Sequence, residues 1–207
     1  MIVYIHVPKT GGTSIRMAAA EHFGEDAMLY DYGPDAPRTS PIVRELLYDA
    51  NEPDHLVEWI HNNGIKFISG HFRMNRYPAL FPEASLITWV RDPVARVVSQ
   101  HQHRTRSLGE KRPLDEWAEK PKWQNLITRQ TGTDLARFAS VGVLERHAES
   151  IARLNAAFGI DLAVRHDNEL TATTTVPDQQ RQRILELNHD DHTFVDQANH
   201  RLDETIS

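Results

Sequence analysis

Ile2, Val3, Tyr4 and Ile5 run directly into HVPKTGGTS, residues His6 to Ser14, and this stretch constrains the chain more than any other. The four opening residues suit a buried strand, and Ile15 to His22 can continue as a helix. A strand that turns through two glycines into a helix aims several backbone N–H groups at one spot, with the positive end of the helix dipole behind them. Gly11 and Gly12 let the backbone approach a tetrahedral oxyanion, Lys9 adds a full positive charge, and Thr10, Thr13 and Ser14 each carry a hydroxyl. The turn reads as an anion cradle, although an ordinary glycine-containing connection stays open on this stretch alone. In the common nucleoside triphosphate loop a lysine and a hydroxyl residue follow the last glycine. Here Lys9 comes first, and no strand ends in a lone Asp suited to be a second Mg²⁺ ligand.

A chain of 207 residues can bury one good core and reads as a single domain, 1–207. Its 23 basic residues against 29 acidic ones, net -6, argue against a broad nucleic-acid surface but leave room for a local basic pocket. The lack of Cys removes disulfides, thiolate metal sites and thiol nucleophiles together. No apolar run approaches a membrane span, and no leader-like series precedes the first strand, so the expectation is a soluble, cytoplasmic protein.

Further along, Gly24 to Ser40 holds Gly33, Pro34, Pro37 and several Asp and reads as a surface loop. Helices are expected around Pro41 to Ala50 and Asp54 to Asn62, then a short strand from Lys66 to Ser69 running into Gly70, His71 and Phe72. If the strands are parallel, His71 sits at the sheet edge that carries the cradle, where ligands collect in open α/β sheets. A histidine at a strand end is more often a hydrogen-bonded structural residue, and Arg73 and Arg76 beyond it fit either an acidic acceptor or a solvated rim.

SLITWV, Ser85 to Val90, is a second clear strand and ends in Arg91, Asp92 and Pro93. Asp92 suits a helix N-cap and Pro93 the first helical position, so a helix should run from Pro93 to about Ser107. On it Arg96, Ser99, His103 and Arg106 recur at helical spacing. Arg91 and Ser99 could grip one phosphate between a guanidinium and a hydroxyl. Equally, Arg91 could pair with Asp92 or a nearby carboxylate and Ser99 be ordinary helix surface. Short helices are expected at Leu114 to Glu119 and Trp123 to Gln130, a longer one at Leu144 to Phe158 ended by Gly159, a last strand at Ile160 to Arg165, a loop over Thr171 to Thr175, and one closing helix from Pro177 to about Leu202. Strands alternating with helices indicate an α/β fold of three layers, a mainly parallel central sheet flanked by helices. The 12 His do not make a metal site: His101 and His103 diverge on a helix, and His189 and His192 find no third strong ligand.

HVPKTGGTS, GHF at Gly70 to Phe72, and WVRDPVARVVSQ from Trp89 to Gln100 together resemble the PAPS-dependent sulfotransferases, particularly the branch of heparan sulfate 2-O-sulfotransferases and small bacterial relatives. QNLITRQTG, Gln124 to Gly132, and VGVLERHAESIARL, Val141 to Leu154, resemble the bacterial members as well. The resemblance implies a P-loop-like fold in which Lys9, Thr10, Gly11, Gly12, Thr13 and Ser14 hold the 5′-phosphosulfate of PAPS. Arg91 and Ser99 would hold its 3′-phosphate, and the Trp123 to Gln130 region and the loop near Val141 would lie near the adenosine. It further implies His71 as general base and Lys9 as the group that stabilises the leaving phosphate, without a metal. Golgi-resident relatives carry a membrane anchor before the first motif; none is read here, and no long basic groove is legible. The acceptor is therefore expected to be the hydroxyl of a small glycan, glycolipid headgroup or metabolite. The rival readings are a metal-dependent kinase on a related phosphate loop and a non-catalytic nucleotide-binding module.

Overall fold

β1 (Ile2–Ile5) is buried at every position because it lies in the middle of a parallel sheet. The computed structural model describes residues 1–165 and 176–204. From β1 the chain passes through α1 (Gly12–Phe23), β2 (Met28–Asp31), α2 (Pro41–Val43) with a π-helical turn (Arg44–Asp49), α3 (Pro53–Asn62) and β3 (Phe67–Gly70). It continues through α4 (Tyr77–Leu80), β4 (Ser85–Val90), α5 (Pro93–Leu108), α6 (Leu114–Ala118), α7 (Leu126–Thr131), β5 (Ser140–Val143), α8 (His147–Phe158), α9 (Asp178–Leu187) and α10 (His189–Asp203).

Among the described residues the strand order is β2-β3-β1-β4-β5, with each neighbouring pair parallel. Ile5 lies opposite Gly70 of β3 on one side and Thr88 of β4 on the other. Chain connections leave β1 toward β2 and leave β4 toward β5, so the order reverses between β1 and β4. A crevice opens at the C-terminal ends of two such strands. The residues that follow those strands are the cradle and Arg91.

Alternation along the strands builds two cores. Val3, Ile5, Leu29, Ile68 and Val90 face α3 and α10 through Leu56, Ile60, Phe194 and Val195. Ile2, Tyr4, Phe67, Ile87 and Trp89 face α1 and α8 through Ile15, Ala19, Ile151 and Leu154. Each fully buried side chain of this kind contributes about 1.5–3 kcal/mol, which makes the sheet a rigid base for the loops at its edge. The expected three-layer α/β architecture, a parallel sheet between helices, is the one observed.

The start of α5 follows its sequence signals: Asp92 Oδ1 accepts from Ala95 N at 2.8 Å, Pro93 opens the helix, and Gly109 closes it at φ +66°. Three expectations are corrected. The stretch 24–40 is not all loop, because Met28 and Leu29 are buried and pair as β2 with β3. The outer edge of β2 is covered by its own return: Tyr30 N donates to Ser40 Oγ at 3.0 Å and Tyr32 N to Thr39 Oγ1 at 3.0 Å.

Residues 160–165 form no strand; the fifth strand is instead Ser140–Val143. Leu162 is held against α8 by Asn155, whose side chain accepts from Leu162 N at 2.9 Å and donates to Leu162 O at 3.0 Å, so its backbone groups are satisfied without a sheet neighbour. The closing helix is two helices, broken at Asn188 (φ -124°), whose side chain accepts from Asn125 N at 3.0 Å and donates to Ile184 O at 2.8 Å. The loop expected over Thr171 to Thr175 lies outside the described residues. Among the described residues no helix is long and apolar enough to cross a membrane.

Candidate functional site

The loop after β1 is wound tightly at its lysine. Lys9 adopts φ +72°, a left-handed conformation that costs a non-glycine residue about 1–2 kcal/mol. Gly11, at φ +84°, forms the N-cap of α1, and its carbonyl accepts from Ser14 N at 3.1 Å. A Cβ on Gly11 would stand 2.5 Å from Leu144 Cδ1, and one on Gly12 would stand 2.1 Å from the His6 ring. Both glycines are thus required by what packs beneath them. Thr10 is fully buried and its hydroxyl donates to Val7 O at 2.8 Å, so it braces the loop from inside.

A single cleft of about 1020 Å³ joins this loop to the end of β4. Lys9, Gly11, Gly12, Thr13, Ser14, His71, Arg91 and Ser99 all line it; of the expected site residues only Thr10 does not. Arg91 Nη1 donates to Lys9 O at 3.3 Å, while its Nε is buried without a hydrogen-bond partner. Ser99 reaches the cleft from the second turn of α5. Half-burial, together with the nearby positive charges of Arg91 and Arg106, holds the Lys9 ammonium below its ordinary pKa. Cations gathered without an equal number of carboxylates are what an anionic ligand relieves.

Arg96 does not join this face as its spacing suggested. It is fully buried and turned toward α10, where its Nη2 donates to Trp123 O at 2.9 Å and its Nε lies 3.9 Å from Asp191. Asp191 also accepts from Ile127 N, Thr128 N and Thr128 Oγ1 at 3.0, 2.8 and 2.9 Å. This buried network fixes Trp123, which lines the cleft, against the helical body.

His71 follows the last residue of β3, its N–H bound to Asp31 O at 2.9 Å. Its ring meets His6 and Tyr32 edge-on, with centroids 4.7 Å from each. Although one side of the ring is open, the surrounding protein strips water from the imidazolium, and its pKa is pushed down to about 4 despite the nearby Asp31 carboxylate. His71 is therefore neutral at pH 7 and able to accept a proton.

His6 and Tyr32 were not singled out from sequence. His6 stacks on Tyr4 at 5.6 Å, and its Nδ1 is 3.1 Å from Tyr32 Oη, which lies 3.3 Å from Ser69 Oγ. Burial keeps His6 neutral, with a pKa well below the ordinary histidine value. His6, like His71, is a histidine just past the end of a strand on this sheet edge, and that position is its sequence signal. Tyr32 could not be found that way because β2 was not recognised.

Asp31, at the end of β2, anchors the sheet edge beside His71. It is buried and receives Arg76 Nη1 at 2.9 Å, Tyr48 Oη at 2.6 Å and Tyr77 Oη at 3.1 Å. Arg76 is thus committed to a carboxylate. Among the described residues no group of three or more His, Asp or Glu is arranged to hold a metal ion.

No protein-family model matches the chain, and no curated protein matches it in sequence. Solved structures do match. The crystal structure of a sulfotransferase from Alicyclobacillus acidocaldarius superposes with a TM-score of 0.58 at 16% identity, over 96% of this chain and 95% of that one. Mouse sulfotransferase SULT7A1 complexed with PAP superposes with a TM-score of 0.50 at 14% identity, over 89% of this chain and 62% of that one. At these identities the likeness is one of architecture: this chain has the fold of the sulfotransferases.

Proposed function

We propose that this protein is a PAPS-dependent sulfotransferase that moves a sulfuryl group to the hydroxyl of a small glycan, glycolipid headgroup or metabolite. One observation carries the reading: both expected anion-binding sets and a neutral histidine line one cleft at the point where the sheet order reverses. The motif resemblance to the heparan sulfate 2-O branch and its small bacterial relatives, the shared fold, and the PAP bound in one of the similar structures point the same way.

The residues fit such a ligand. Gly11 and Gly12 let the loop pack closely on Leu144 and His6 at the cleft, and Arg91 Nε lacks a protein hydrogen-bond partner. When bound, PAPS supplies an activated sulfuryl group on its 5′-phosphate. In this reading the N–H groups of Gly11, Gly12 and Thr13 and the Thr13 and Ser14 hydroxyls hold the 5′ end, with Thr10 contributing its backbone. Arg91 and Ser99 hold the 3′-phosphate, which ATP and GTP lack. Lys9 meets the negative charge left on the 5′-phosphate oxygen, in a cleft where partial burial strengthens that attraction. His71 takes the proton given up by the acceptor hydroxyl. Holding donor and acceptor in line accounts for the rest of the acceleration.

Incubation with PAPS labelled in its sulfate, across a panel of glycans, glycolipids and small alcohols, tests the reading. Label should appear on at least one acceptor without added metal. Binding of PAP with no transfer to any acceptor would instead favour a module that kept the cradle and lost the chemistry, and binding of ATP with Mg²⁺ in preference to PAP would favour a kinase.

A further inference from the structure

Glu145 is a carboxylate set among the expected ligands of an anion. The parallel register pairs Val90 with Val143, so the residues after β4 and after β5 emerge side by side. Arg91 follows the first strand, and Leu144 and Glu145 follow the second. Leu144 packs on Gly11. Glu145 lines the same cleft as Lys9, Arg91 and Ser99. Its Oε1 accepts from Asp92 N at 3.2 Å and stands 3.8 Å from Arg91 Nε.

That second distance is too long for a hydrogen bond, which is why Arg91 Nε stays without a partner although buried. The neighbouring carboxylates are committed elsewhere. Asp92 caps α5 through Ala95 N and faces Arg181 at 3.5 Å, and Glu149 pairs with Arg146 at 2.8 Å. Among the described residues Glu145 has Arg91 as its cationic neighbour and no other ion pair.

We propose that Glu145 competes with an incoming phosphate for Arg91 and so sets the affinity and selectivity of this subsite for the 3′-phosphate. A phosphate seated on Arg91 brings its negative charge close to the Glu145 carboxylate, in a cleft only partly screened by solvent. A 5′-monophosphate that does not reach Arg91 is spared that repulsion. Glu145 therefore holds back 3′-phosphorylated ligands selectively, and it supplies a weak countercharge to Arg91 when no ligand is there. The inference rests on the assignment of Arg91 and Ser99 to the 3′-phosphate.

Glu145→Gln separates the charge from the structure, because the amide oxygen can still accept from Asp92 N. Titration calorimetry with PAP and with AMP on the parent and on this variant reads the effect. The variant should bind PAP roughly three- to tenfold more tightly and AMP within about twofold of the parent. Glu145→Ala should move PAP affinity in the same direction. PAP affinity that is unchanged or weaker in Glu145→Gln, or an equal gain for PAP and AMP, overturns the proposal while leaving the sulfotransferase reading intact. A parent that binds PAP no better than AMP overturns the 3′-phosphate assignment itself, and this inference with it.

Discussion

The guanidinium of Arg91 is bonded to the main-chain carbonyl of Lys9 at 3.3 Å. The bond links the segments after β4 and β1, and it holds Lys9 in its left-handed turn at φ +72°. Lys9→Gly should then separate stability from function. Glycine adopts this conformation without the side-chain clash, offsetting about 1 kcal/mol of its extra freedom in the unfolded chain, so the variant should be as stable as the parent or slightly more so. Sulfuryl transfer should fall by about 10²–10³-fold with loss of the ammonium. Urea unfolding and initial rates check both halves, and a clear loss of stability would contradict the strain assigned to Lys9.

His71→Ala should lower transfer by about 10²–10⁴-fold while PAP binding stays near the parent value, since the role proposed for the ring is toward the acceptor hydroxyl. The parent's rate should be nearly flat from pH 7 to pH 5 and fall only toward the His71 pKa of about 4, well below that of an ordinary histidine near 6.5. A midpoint near 6.5 for the acid limb would contradict this environment for the imidazole.

The same shift has a sign for stability. Between about pH 6.5 and 4 the unfolded chain binds a proton at His71 that the native state refuses, so stability falls as pH drops through that window. His6, buried and shifted in the same direction, adds to the loss. Denaturant midpoints measured across the window should drop less in His71→Ala than in the parent. An identical drop would show that His71 does not titrate differently in the two states.

Gly70→Ala should destabilise more than Gly12→Ala. An added Cβ at Gly70 would lie 1.8 Å from the Asp31 carbonyl oxygen, a backbone atom held in the sheet, whereas at Gly12 it meets the His6 ring, a side chain. Overpacking of this kind costs about 1–3 kcal/mol or more. Thermal unfolding of the two variants ranks them, and the reverse order would contradict the packing at the β2–β3 edge.

Asp191→Ala removes the carboxylate that receives three donors from α7 and faces the fully buried Arg96. Leaving that charge unpaired should cost about 3–5 kcal/mol. Chemical denaturation would expose the effect, and a loss below about 1 kcal/mol would mean that the network relaxes around other partners.

Much of the fold was legible where local chemistry and burial agree. β1 is a continuous apolar run, β4 a mainly apolar one, and Asp92-Pro93 marks the start of α5 to the residue. β2 and β5 escaped because their local signals are weak: MLYD lies in a stretch rich in Gly, Pro and Asp, and SVGV carries a glycine. Gly142, which weakens SVGV as a strand signal, is there because Trp89 lies against it: a Cβ would stand 2.1 Å from the indole. The break at Asn188 was hidden because Ile184, Leu187 and Phe194 read as one apolar face, whereas Ile184 and Phe194 pack into separate clusters and the cause of the break, a bond from Asn125 N, comes from another part of the chain.

The site was legible to the extent that its residues follow strands. Lys9, His71 and Arg91 each come just after a strand that was recognised, and parallel pairing brings such positions to one edge. Glu145 follows β5 and Tyr32 follows β2, so both were lost with their strands. The inward turn of Arg96 depends on Asp191, which is distant in sequence; helical spacing alone put it with Ser99.

The central claim is that the cradle and the Arg91–Ser99 pair seat one bisphosphorylated adenosine, and a thermal-shift comparison of PAP, AMP and ATP without metal tests it most directly. PAP should raise the unfolding temperature well above AMP or ATP at equal concentration, and Arg91→Ala should bring PAP down to the level of AMP. Equal protection by PAP and AMP in the parent, or stronger protection by ATP, would contradict the account.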